Sequence, residues 1–133
     1  MIRSEAELDR IPSDVVDLWI ANFEVVKKRN LELKQQHSMK NLTIGINALH
    51  GVSMMELSGL EALERVVIMR GGLHGGSGRL RVTNCANLSS IDIGEFAFMK
   101  YINLELTNLP MLQSINIGNS AFQSIQTILM ESK

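Results

Sequence analysis

Four isoleucines set the frame for this chain. Ile44, Ile68, Ile93 and Ile117 stand 24, 25 and 24 residues apart, and other apolar columns keep the same step. Two places earlier come Leu42, Val66, Ile91 and Ile115, and three before those Met39, Leu63, Leu88 and Leu112. A small residue followed by a bulky one recurs at Ala48 with Leu49, Gly72 with Leu73, Ala97 with Phe98 and Ala121 with Phe122. Further on, Met55, Leu80, Leu104 and Ile128 align, as do Leu57, Val82, Leu106 and Met130, and Leu60, Cys85 and Leu109. A fixed period of this length marks a solenoid, in which no repeat buries its own apolar face and the stack does so collectively.

Within each unit the apolar residues alternate twice, as in "SSIDIG" and "INLEL", so each coil should supply two short strands. The expectation is an α+β chain: a β-solenoid of about four coils over residues 39–133, with units near 39–62, 63–87, 88–111 and 112–133. Stacked, their strands form two narrow parallel sheets. Residues 1–38 read as an N-terminal helical cap. From Ser13 to about Gln36, Val16, Trp19, Ile20, Phe23 and Val26 fall at helical steps. Pro12 bars an upstream continuation, Ser13 can cap the first turn, and Asp14 and Asp17 suit its dipole. Ser4 and Glu7 have capping-box spacing before Leu8, predicting a short helix ahead of it. The cluster Lys27, Lys28, Arg29, with Glu24 and Glu32 nearby, reads as a solvated helix face.

The chain has 133 residues and a net charge of −1, which supplies no global attraction to nucleic acid or to an anionic membrane. A single cysteine cannot form an internal disulfide and suits a reducing compartment. The segment "MIRSEAELDR" carries no export signal, and no apolar run is long enough to span a bilayer. These features point to a cytoplasmic chain, or to a fragment of a larger or surface protein.

Signs of catalysis are few. The stretch "RGGLHGGSGRLRV" lacks the Lys-Ser or Lys-Thr of a phosphate loop and has no helix after it. Its glycines read as a turn that absorbs the extra residue of the second unit, with Arg70, Arg79 and Arg81 nearby. His50 and His74 share a column one coil apart, but it continues with Met99 and Gln123, so a metal would find two ligands where three or four are needed. His37 reads as a partner for the dipole at the helix end, and Cys85, in an apolar column, as a buried small hydrophobe. Outward carboxylates do not cluster: the first sheet offers Thr43, Val67, Asp92 and Asn116, and the second Glu56, Arg81, Glu105 and Leu129, whose charges alternate and pair across strands. The reading is no metal, no cofactor and no enzyme.

The units "LSSIDIGEFAF" and "LQSINIGNSAF" resemble the L-x-x-I-x-I-G-x-x-A-F core of the BspA-like leucine-rich repeats. That resemblance implies a leucine-rich-repeat-like solenoid that binds a ligand or protein without a cofactor. The candidate contact residues are Thr43, Val67, Asp92 and Asn116, flanked by Asn41, Arg65, Ser90 and Ser114. A protein partner is expected. The alternative is a self-associating structural protein, a homodimer joined through the uncapped edge at Ile128, Leu129 and Met130, because open strand edges promote association.

Overall fold

Period-two alternation of apolar residues governs more of this chain than the stretch beyond Met39. The computed structural model describes residues 1–23, 27 and 29–131. After a four-residue helix α1 (Glu5–Leu8), the strands are β1 (Asp17–Ile20), β2 (Asn30–Leu33), β3 (Asn41–Ile44), β4 (Met54–Ser58), β5 (Arg65–Ile68), β6 (Arg79–Thr83), β7 (Ser90–Ile93), β8 (Asn103–Thr107), β9 (Ser114–Ile117) and β10 (Thr127–Glu131). The odd strands form one five-stranded sheet in the order β1-β3-β5-β7-β9, and the even strands form the other, β10-β8-β6-β4-β2. Neighbours in both sheets are parallel. The molecule is therefore a β-solenoid of five coils with almost no helix.

The fifth coil replaces the long helix expected over residues 13–36. Leu18 and Ile20 lie in register with Leu42 and Ile44, and Leu31 and Leu33 with Met55 and Leu57. All four residues of the first coil are buried. The helical reading mixed two faces of a strand: Trp19 is 44% exposed on one and Ile20 is fully buried on the other, while Val16, just ahead of β1, is 46% exposed. Alternation places every second residue inward, and pairing with the next coil outweighs a weak local preference. The expected dipole partners have other roles. Asp17 accepts a 2.7 Å hydrogen bond from Asn41 Nδ2, and His37 Nδ1 lies 3.4 Å from Glu61 Oε1. Val26, Glu24 and Lys28 lie outside the described residues.

The amino end is closed without a helical cap of that kind. Ile2 bridges in parallel to Ile20, donating to Trp19 O at 2.8 Å and accepting from Ala21 N at 2.9 Å. The turn expected from Ser4 and Glu7 forms α1: Ser4 Oγ accepts from Glu7 N at 3.2 Å, Glu7 Oε1 accepts from Arg3 N at 3.1 Å, and Leu8 is buried.

Corners recur as regularly as strands. Asn47, Gly71, Phe96 and Ser120 all have left-handed φ, as do Leu49, Leu73, Phe98 and Phe122 two places on, and Gly59, Asn84 and Asn108 after the even strands. A non-glycine residue in this region costs on the order of 1 kcal/mol, an amount that burial of a leucine or phenylalanine offsets. The glycines between β5 and β6 lie where coils nearly touch: a Cβ at Gly76 would stand 2.3 Å from Val52 O, and one at Gly78 only 1.6 Å from Ser53 O. Close approach, rather than flexibility alone, requires them.

The core runs continuously between the sheets. Its largest members are Phe98 and Tyr101, whose rings meet edge to face at 4.9 Å, while Phe98 stacks on Phe122 at 5.0 Å. Tyr101 donates its hydroxyl hydrogen to Val52 O at 2.6 Å. Gly76 occupies the same column in the intervening coil, so that hydrogen bond spans three coils.

Candidate protein-binding surface

Strand pairing brings the outward residues of the odd sheet into rows. Trp19, Thr43, Val67, Asp92 and Asn116 form one, and Asp17, Asn41, Arg65, Ser90 and Ser114 the next. Asn116 Nδ2 donates to Asp92 Oδ1 at 2.6 Å, fixing the direction of both side chains. Trp19 extends the first row, and its indole rests against the backbone at Gly45, where an added Cβ would lie 3.4 Å from Nε1. Sequence reasoning missed it because the helical reading assigned Trp19 to a buried stripe.

Three of the eight expected contact residues, Val67, Asp92 and Asn116, line an open groove of about 590 Å³. Asn41, Thr43, Arg65, Ser90 and Ser114 lie outside it, along the same sheet face. The groove also takes in Ile46, Met69, Arg70 and Glu95 from just past the strands. A sequence signal for them exists: after the column of isoleucines come Gly45, Met69, Gly94 and Gly118, so one methionine stands in a row of glycines. A Cβ at Gly94 would come within 2.7 Å of Arg70 N. Glycine there lets the fourth coil settle against the backbone of the third at Met69 and Arg70. Arg70 and Glu95 stand on the lip of the groove, and neither forms an ion pair among the described residues. An apolar floor with unpaired charges at its rim can hold an extended segment by burial and fix its direction by charge.

The even sheet is organised differently. Its outward row is Glu32, Glu56, Arg81, Glu105 and Leu129. Arg81 Nε donates to Glu105 Oε2, Arg81 Nη1 lies 3.8 Å from Glu56, and Lys34 Nζ lies 3.3 Å from Glu32 and 3.5 Å from Glu56. The pairing expected from alternating charge is present, and Lys34 bridges the two adjacent acids at its start. The hydrogen bond and charge of Glu105 raise the Arg81 pKa, and those of Glu32 raise that of Lys34. These charges satisfy one another and leave little for a ligand.

The histidine rings stack at 4.3 Å between centroids, tilted by 55°. His74 Nδ1 lies 2.7 Å from Gly71 O, a hydrogen bond that needs the proton on Nδ1. Among the described residues no three His, Cys, Asp or Glu side chains gather where they could hold a metal ion. Cys85 is buried with Sγ 3.4 Å from Thr83 O, and burial raises its thiol pKa above the ordinary value, against smaller opposing effects of backbone hydrogen bonds at Leu60 and Gly59. It is a poor nucleophile. No helix among the described residues is long and apolar enough to cross a membrane.

At the carboxyl end, Ile128, Leu129 and Met130 of β10 are 57%, 41% and 54% exposed, and Ile117 at the end of β9 is 49% exposed. Met111, between β8 and β9, is 51% exposed. Comparison with models of protein families, with curated proteins and with solved structures finds no match to this chain.

Proposed function

We propose that this chain is a non-catalytic protein-binding module that presents the outward face of its odd sheet to an extended segment of a protein partner, without a cofactor. The observation that carries the reading is the groove beside Met69, where Val67, Asp92 and Asn116 meet an apolar floor and the charges of Arg70 and Glu95, which form no ion pair among the described residues. A stack of parallel strands makes a rigid support, so little ordering cost falls on the protein when a partner docks. The resemblance to BspA-like repeats points the same way. Thr43, Arg65, Ser90 and Ser114 extend the contact beyond the groove along the sheet.

The test is selection of peptides from a random library against the immobilised chain, followed by titration with variants. Peptides that use this surface bind at least about tenfold more weakly to Val67→Arg or Asp92→Arg, a loss of about 1.4 kcal/mol, and equally well to Lys34→Ala on the other sheet. Peptides indifferent to both groove substitutions would sink the reading.

A further inference from the structure

Ile46 and Phe96 are large apolar side chains in the body of the stack, yet each is 44% exposed. Phe96 also carries a backbone cost. Its left-handed φ of 62° recurs in the same corner at Asn47, Gly71 and Ser120, which are small or polar, whereas an aromatic residue in that conformation is strained. Phe98 and Phe122 bear the same cost and are buried in return, but Phe96 stays outside the core. Gly71 carries no side chain between Asn47 and Phe96, and a hollow of about 490 Å³ opens there, backed by His74 and Met99. Arg70 lines both this hollow and the groove on the odd sheet, so the two meet at its exposed side chain. Ile46 stands on the groove side of that junction and Phe96 on the hollow side.

We propose that the hollow is a second subsite of the same binding surface, and that its partner is an extended protein segment bearing a carboxylate side chain with an apolar side chain on either side. The inference rests on the groove reading above. One apolar side chain lies against Ile46 and Met69 in the groove, the other enters the hollow against Phe96 and Met99, and the carboxylate between them meets the guanidinium of Arg70, whose fork of donors matches it. The charges support this occupant. Gly71 N donates to Glu95 O at 2.8 Å, so Arg70 and Glu95 stand on adjoining coils, as Arg81 and Glu105 do on the even sheet. Arg81 and Glu105 pair, whereas Arg70 and Glu95 form no ion pair with each other or with any other described residue. Asp92 and Glu95 line the groove, and no acid lines the hollow among the described residues. The surface therefore changes sign from groove to hollow. A basic residue at the groove end of the segment faces the two acids, and the reverse orientation would leave them unmatched.

The probe is the set of library-selected peptides whose binding Val67→Arg weakens. They should share an aspartate or glutamate between two apolar residues, and should bind at least about tenfold more weakly to Arg70→Gln and to Phe96→Asn. Replacing the peptide carboxylate by its amide should weaken binding to the native chain and leave binding to Arg70→Gln unchanged, because the pair is already broken there. Phe96→Asn should unfold in urea at no lower concentration than the native chain, since asparagine suits a left-handed φ. A lower midpoint would show that the ring packs for stability, and would overturn its assignment as an anchor. Groove-dependent peptides that lack the acid, or that bind both variants as tightly as the native chain, would overturn the inference while the groove reading stands. If no selected peptide depends on Val67, the groove reading fails and this inference with it.

Discussion

Tyr101 shows how much one side chain does in a stack. It is the only tyrosine in the chain, it is buried, and burial holds its hydroxyl well above the ordinary tyrosine pKa. In the unfolded chain the same hydroxyl ionises near pH ~10. Because the folded pKa is raised, the tyrosine's contribution is intact below pH ~10 and is lost as pH rises beyond it, since the unfolded state then holds fewer protons. Tyrosinate absorbance should therefore appear together with loss of the β circular dichroism, and Tyr101→Phe should remove that alkaline step. Early absorbance in the folded chain would contradict this picture. Nothing in the residue pattern signals the Val52 hydrogen bond: Val52, Gly76 and Tyr101 share a column but no chemistry, and it is the lack of a side chain at Gly76 that lets the ring reach past one coil. The histidine column was legible, because identical residues at one period must stack.

Strands and corners divide the labour of the fold, and their legibility differs for a physical reason. Alternating strands such as Ile91 with Ile93 announce themselves, because burial on one face repeats every two residues. β1 was hidden because outward Trp19 and the flanking Val16 are also apolar, so that helical steps fit the same letters, whereas β2, "NLEL" like the start of β8, carries the alternation plainly and was absorbed into the long helix. Groove residues were legible only in part: Val67, Asp92 and Asn116 stand between inward residues on strands, while Ile46, Arg70 and Glu95 lie beyond the strand ends, where alternation no longer assigns a side. Corners can be tested by a pair of substitutions. Gly59 has left-handed φ and open space around it, so Gly59→Ala should cost on the order of 1 kcal/mol from backbone strain alone. Gly78 faces Ser53 O at a distance no side chain tolerates, so Gly78→Ala should cost roughly 3 kcal/mol or more, or prevent folding. Urea melts that give equal losses would show that coil spacing adapts.

For the molecule as a whole, stability should grade from the middle of the stack to its carboxyl end. Leu57 is fully buried between the sheets in the second coil, and Leu57→Ala should cost about 2–5 kcal/mol. Met130→Ala, half exposed in β10, should cost less than about 1 kcal/mol. Equal costs would show that the terminal coil is as tightly held as the rest. The sequence disclosed the period and the parallel sheets, and it undercounted the coils by one where the pattern was ambiguous. The bond from Tyr101 to Val52 has a consequence for how such a gene can lengthen. Repeats are commonly imagined as copies that can be inserted anywhere, but a tandem duplication of residues 88–111 would set a second tyrosine above Tyr101 rather than above a glycine, with no vacancy for its ring. The fifth unit, with Ile125 in that column, carries no such bar. Coils in this chain thus have addresses, and the fourth fits only above a coil that leaves its column empty, as the third does at Gly76.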